Sequence, residues 1–302
     1  MAGVNLEALN FLKKLDLVSL LISFLLTMVL TGFISFRWSL IANALAGFQA
    51  LSRLESFFYV LAGRTVGFIL PKDLSDMVVR TLFLARRNKV SILISTSSLI
   101  LDKMLDLIVS LVFLFPSLIF VLGQVSVSDA LLLLAALAIT VFFILRFGSN
   151  IVLELFFVAY NLLGSIVFRW LRRDFHTAAA PVIAPAVFAI GYLASLAKQI
   201  CIGLRAFFLG QALGIGLSPL DFLFAASITQ MSYIVSVTPD GLGIYDAAWF
   251  AVLNVVGIAD PLIGSFLVLQ RVFVIVVIGA LTLLTYAMVV WGKAGRFERP
   301  QP

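Results

Sequence analysis

The sequence predicts an all-α, polytopic integral membrane protein, a single domain over residues 1–302 with about eight transmembrane helices. Three observations carry that expectation. Hydrophobic residues make up 62% of the chain and charged ones only 12%, against roughly a quarter charged in a soluble domain. The apolar residues come in runs of about 20, the length that crosses a hydrocarbon core of about 30 Å. Positive residues collect in the short connectors between those runs, so the formal net charge of +6 reads as topology and as affinity for anionic headgroups rather than for nucleic acid. No polar connector exceeds about twenty residues, which leaves no room for a soluble catalytic domain.

The first run, Leu17 to Phe36, follows Lys13 and Lys14 as a signal peptide would, but no small-residue cleavage site ends it, so it reads as a retained helix. Arg37 to Ser52 is mixed and reads as an interfacial helix or connector. Leu54 to Leu70 is short and contains Arg64; it crosses with a tilt or re-enters. Leu74, Met77, Val78 and Leu82 recur at helical spacing, the pattern of an amphipathic helix over Leu74 to Arg87 lying on the basic side. Val90 to Leu122 exceeds the bilayer thickness, which predicts tilt or a break near Pro116. Ala130 to Phe147 is a further span. Ile151 to Phe168 carries Glu154 and Asn161 and is read as interfacial or re-entrant, because that keeps Lys13/Lys14, the 72–89 connector, Arg169/Arg172/Arg173 and the tail (Lys293, Arg296, Arg299) on one side. Val182 to Leu209, Leu220 to Val237, Leu242 to Val256 and Leu262 to Trp291 complete the spans, with both termini cytoplasmic.

Asp102, Lys103 and Asp106 fall inside the third run. At 1.5 Å per residue Asp102 lies roughly 16 Å beyond Ser91, near mid-bilayer. Charge there is costly, so such groups face a bundle interior or wet cavity and pair with one another. Lys103, Arg64 and Arg271 are the candidate partners; a static structural ion pair is the alternative use of the same residues. Lys198 and Arg205, two helical turns apart, form a cationic stripe suited to phosphate-bearing headgroups, although snorkelling explains Arg205 as well.

Two segments break alike, one in each half of the chain. The first reads Gly67-Phe-Ile-Leu-Pro71 followed by Asp73 and Asp76, the second Val237-Thr-Pro239-Asp240-Gly241-Leu-Gly243 followed by Asp246. They are either hinges beside a midplane site in an inverted repeat or ordinary helix ends. Gly241 and Gly243 permit close backbone approach, and the helix start after them offers N–H groups to an anion; the loop is too short for a nucleotide P-loop. His176 is the only histidine and sits in a basic connector, which argues against Ser/His/Asp catalysis and a His-ligated metal. Asp73 and Asp76 suit a metal-dependent transferase weakly, since Asp76 precedes Arg80 by four residues as a helix ion pair does. The lone Cys201 excludes an internal disulfide and reads as core.

In order and spacing, Leu70-Pro71 with Ser75, Asp76 and Arg80, then Asp102-Lys103 and Asp106, then Pro239-Asp-Gly-Leu-Gly-Ile-Tyr-Asp246, then Gln270-Arg271, resemble the transmembrane region of lysylphosphatidylglycerol synthases and their stand-alone flippase-like relatives. That family's blocks usually read Pro-Gly-x-x-Gly-Glu with a following Arg, Glu-Arg-x-x-Asp, and Pro-Gly-Gly-x-Gly with a nearby Glu. Here Asp76, Asp102 and Asp246 stand for glutamates, Lys103 for an arginine, and Lys72, Ser75 and Asp240 for glycines. The resemblance implies a bacterial inner-membrane protein that moves or presents a polar-headed lipid, anionic, aminoacylated or sugar-linked. With no synthetase domain before Pro302, the expectation is a stand-alone member without lysyltransferase activity.

The site expected is therefore a cavity lined by Arg64, Asp76, Arg80, Asp102, Lys103, Asp106, Lys198, Asp246 and Arg271, with Pro71, Pro239, Gly241 and Gly243 at the breaks that let it change sides. No enzyme, cofactor, metal or nucleic acid is expected. The partners expected are the membrane lipid itself and an envelope-lipid biosynthetic enzyme. The rival readings are a non-catalytic partner in envelope lipid or glycolipid synthesis, whose buried charges only fix packing, and a membrane glycosyl or lipid transferase.

Overall fold

The computed structural model describes residues 15–88, 90–170, 183–233 and 238–297. Lys13, Lys14, Lys89, Arg172, Arg173, His176 and Arg299 lie outside them, as do the side chains of Lys72, Asp73, Arg169, Lys293 and Arg296. The described residues form nine helices: α1 (Leu17–Ala46), α2 (Arg53–Val66), α3 (Lys72–Arg87), α4 (Ile92–Val121), α5 (Val127–Trp170), α6 (Pro185–Gln211), α7 (Pro219–Met231), α8 (Ile244–Val255) and α9 (Asp260–Phe297). Five stretches are long and apolar enough to cross a bilayer: α1, α4, α6, Val127–Leu155 of α5 and Asp260–Val290 of α9.

The other four helices have 14, 16, 13 and 12 residues, or about 18–24 Å at 1.5 Å per residue, short of a core of about 30 Å. They form two helical hairpins, α2 against α3 and α7 against α8. Thus Leu54–Leu70, Leu220–Val237 and Leu242–Val256, expected as spans with only the first allowed to re-enter, contain helices too short to cross singly. The two hairpins meet at their tips. Pro71 pairs with Pro239 in an antiparallel bridge, and the Asp240 N–H donates to the Gly67 carbonyl at 3.0 Å. Broken backbone at membrane depth is tolerated where protein covers it and satisfies its polar groups, and here each break partly satisfies the other.

Three sequence expectations need correction. α1 does not end at Phe36; it continues to Ala46 and stops on Gly47, whose φ of 72° gives the left-handed turn that closes a helix. Its Ser19, Ser23, Thr27, Thr31 and Ser35 are buried at four-residue intervals; Ser23 meets α6 at the Arg205 carbonyl, and Thr31 and Ser35 meet Arg64 and Ser56 of α2. The Thr27 and Thr31 hydroxyls bond the carbonyls of Ser23 and Thr27 (2.8 and 2.7 Å), so small polar side chains line the contact without an unsatisfied group. α3 is not a surface helix with its polar face in water. Ser75, Asp76, Arg80 and Leu84 are buried while Leu74, Val78 and Leu82 are exposed, so its polar face points into the protein and its apolar face outwards. Ile151–Phe168 is no separate element but continues α5 beyond a kink at Gly148 (φ −114°, ψ 17°). In addition, α4 runs through Pro116 as one 30-residue helix.

Small residues set the close contacts that bring the polar faces together. A Cβ on Gly203 of α6 would sit 2.7 Å from the Leu223 Cα of α7. A Cβ on Gly63 of α2 would sit 2.9 Å from Asp76 Oδ1 and 3.2 Å from its Cα. Around them packs an aromatic-rich core that includes Trp38, Tyr59, Phe222, Trp249 and Phe266, all fully buried.

Candidate functional site

Four helices contribute to one chain of alternating charges. Lys198 of α6 bonds Asp106 Oδ1 of α4, which also accepts from Arg37 of α1. The Arg37 Nε donates to Asp102 Oδ1 at 2.6 Å, and its Nη1 also reaches the Ser195 hydroxyl. Asp102 Oδ2 accepts from Arg80 Nη2 at 3.0 Å. Arg80 in turn bonds Asp76 Oδ2 at 2.9 Å, and Lys103 lies 3.2 Å from the same oxygen. Arg37, Arg80 and Asp102 are each only 1% exposed at the side chain. Every carboxylate in this chain meets two cations, which offsets the desolvation that makes a lone buried charge so unfavourable. The Arg80 guanidinium also lies 4.3 Å from the centroid of the Trp38 ring, whose indole N–H is held by Ser98 at 3.1 Å.

A second ionic group lies at the tip of the α7–α8 hairpin. Asp246 accepts two bonds from Arg271 of α9, from Nε at 2.9 Å and from Nη2 at 2.6 Å. Asp240 lies 3.7 Å from Arg271 Nη1. Asp246 also accepts the Gly243 N–H at 3.0 Å, so the helix start expected to offer N–H groups to an anion is capped in part by its own carboxylate. Asp240 (φ 42°), Gly241 (φ 70°) and Gly243 (φ 85°) all take left-handed backbone, the conformation that glycine supplies without strain. Next to Arg271, Gln270 donates to the Tyr245 hydroxyl at 2.8 Å.

Two cavities open onto these groups. The larger, about 360 Å³, has Arg64, Asp76, Arg80, Asp102, Lys103, Asp106 and Lys198 in its wall. That volume lies in the range of small-molecule sites. The smaller, about 50 Å³, is lined by Arg64, Arg205, Asp240, Tyr245, Gln270 and Arg271 among others. Arg64, Ile202, Gln230 and Tyr233 belong to both walls and partition them.

The structure thus gathers the expected residues but re-pairs them. Arg64 and Arg271, expected to neutralise Asp102 and Asp106, do not touch them. That role falls to Arg37, Arg80 and Lys198, while Lys103 pairs with Asp76 and Arg271 with Asp246 and Asp240. The single expected cavity is two: Arg271 lines the smaller one, and Asp246 stands behind Arg271. Arg205 does not snorkel; it is 7% exposed. Asp76 forms the intrahelical pair with Arg80 that its spacing suggested. Arg37 is the residue the sequence reading missed. The signal available for it was the Ser/Thr spacing of α1, which continues to the buried Ser39, past the point where the apolar run was ended. Among the described residues no three His, Cys, Asp or Glu side chains are grouped to hold a metal ion.

A family model described as the lysylphosphatidylglycerol synthase TM region matches residues 5–282. No curated protein and no solved structure matches the chain.

Proposed function

The chain belongs to the lysylphosphatidylglycerol synthase transmembrane-region family, and from that membership and the site geometry we propose that it is a flippase-like carrier of a polar-headed membrane lipid. The observation that supports this is a charged cavity of about 360 Å³ inside a bundle whose outer surface is apolar. A headgroup enters such a cavity while its acyl chains stay in the bilayer. The hairpin tips at Pro71 and Pro239 then part and re-form as the cavity changes sides. No nucleotide-binding motif is needed for downhill movement, and the family membership supports a membrane-lipid-related role.

The test is headgroup translocation in proteoliposomes, following fluorescent anionic, aminoacylated and prenyl-phosphate lipids, with Asp102→Asn and Arg271→Gln compared with wild type at equal levels of folded protein. Transport by wild type and its loss in both folded variants supports the proposal. No movement of any of these lipids by folded wild type overturns it. A second reading is favoured by one observation, that every carboxylate of the larger network is already paired within the protein. On that reading the charges are a packing device of a non-transporting partner in envelope-lipid synthesis, and both variants lower the amount of folded protein instead.

A further inference from the structure

The two cavities hold unequal numbers of opposite charges. Arg37, Arg80, Lys103 and Lys198 face Asp76, Asp102 and Asp106, and Arg271 faces Asp240 and Asp246. Two cations remain. Among the described residues Arg64 forms no ion pair and bonds the Thr31 hydroxyl at 3.4 Å, and Arg205 forms no ion pair either. The Arg205 Nε is buried without a hydrogen-bond partner, in a side chain of a residue 7% exposed. Both line the smaller cavity, and Arg64 stands in the wall it shares with the larger.

Asp240 shares the smaller cavity's wall with Arg64 and Arg205, yet over both cavities these seven described cations face five carboxylates, and two unmatched positive charges inside a bilayer are strongly unfavourable unless something negative joins them. Guanidinium groups bind phosphate oxygens through paired, charge-assisted hydrogen bonds. The smaller cavity, at about 50 Å³, has room for little more than a few waters, whereas the larger suits the body of a headgroup.

Resting on the lipid-carrier reading, we propose that Arg64 and Arg205 form a site for a doubly charged phosphate, the phosphomonoester end of a lipid, with the rest of the headgroup in the larger cavity. A phosphodiester supplies one negative charge and leaves one of the two surplus positive charges unmatched. An aminoacylated headgroup carries zero or net positive charge and is the poorest fit of the three.

The experiment is lipid binding by native mass spectrometry of the full chain at about pH 7.5, with phosphatidic acid as the monoester, phosphatidylglycerol as the diester, phosphatidylcholine as the zwitterion, and inorganic phosphate as competitor. Phosphatidic acid should bind at least tenfold more tightly than either other lipid, and Arg64→Gln with Arg205→Gln should erase the difference. Arg205→Gln alone should not lower the melting temperature of lipid-free protein, since it removes a buried cation that has no partner; a large drop would show that Arg205 is structural and would overturn the site. Equal binding of all three lipids, or wild-type preference in the double variant, also overturns it. Inorganic phosphate that displaces phosphatidic acid at equal concentration would retain the phosphate site and remove the lipid as its source. Folded protein that keeps the preference but moves no lipid in vesicles refutes the carrier reading alone, and one that moves lipids without the preference refutes this site alone.

Discussion

Replacing Arg37 by Gln should be the most damaging single change in the larger network. Arg37 bonds both Asp102 and Asp106 and is 1% exposed at the side chain; without it Asp102 keeps only Arg80, and Asp106 keeps only Lys198. Removing one partner from a buried ion pair costs about 3–5 kcal/mol, because the remaining charge stays desolvated. The cost should fall when the surplus charge is removed with it. Arg37→Gln combined with Asp106→Asn should therefore recover at least about 1 kcal/mol of what the two single changes lose together, a coupling in the range expected of contacting charges. Arg37→Gln with Asp246→Asn should be additive, since Asp246 belongs to the other ionic group. The assay is equilibrium unfolding in mixed micelles of detergent and SDS, with helicity as readout. A loss below about 1 kcal/mol for Arg37→Gln, or additivity with Asp106→Asn, would refute the alternating-charge network as the element that joins α1, α3, α4 and α6.

Gly63→Ala places a methyl 2.9 Å from Asp76 Oδ1 and 3.2 Å from the Asp76 backbone; it should destabilise by about 1–3 kcal/mol, as overpacking does, measured in the same unfolding assay. Pro71→Cys with Pro239→Cys puts thiols on a directly paired antiparallel bridge, where Cα separations of about 4.5–5.5 Å permit a disulfide. The oxidised pair should stop lipid movement in proteoliposomes and reduction should restore it; undiminished movement while cross-linked would show that the tips need not part. Asp16 caps α1, accepting from the Ser19 hydroxyl at 2.6 Å and the Val18 N–H at 3.0 Å, and these bonds hold its carboxyl below the ordinary 3.8. A depressed carboxyl contributes stability that is complete above the unfolded value and is lost as pH falls through the folded one. Fraying of the first turn of α1 should thus begin only below about 3.8, as followed by the carboxyl carbon resonance of Asp16; a midpoint at or above that value would contradict the cap.

Much of this architecture was legible because a bilayer imposes simple constraints on sequence. The long apolar runs gave α1, α4 and α9, and the costly intramembrane charges Asp102, Lys103 and Asp106 fall in the wall of the larger cavity. The two Pro/Gly breaks also stood out. What could not be read was that they touch, since nothing local in either segment encodes pairing between Pro71 and Pro239. The amphipathic pattern of α3 was legible, but not that its Asp76–Arg80 face packs against α4 instead of lying at the interface. Hydrophobic periodicity shows that a helix has two faces, but which one is buried depends on the solvent outside; against lipid the polar face of Asp76 and Arg80 goes inward. Arg37 was missed because a charge was allowed to end an apolar run, whereas inside a bundle a charge with two carboxylate partners need not end a helix. The true partners of Asp102 and Asp106 lie on α1, α3 and α6, and their choice is tertiary.

The most direct test of the central claim is site-specific photocrosslinking in native membranes, with a photoreactive residue at Ser110 in the wall of the larger cavity and a control at Phe143, which faces outward with 53% exposure. Mass analysis of the adducts should find attachment to lipid headgroup atoms at Ser110 and to acyl chains alone at Phe143. Ser110 adducts confined to acyl chains, or none in folded protein, would show that no headgroup enters the cavity.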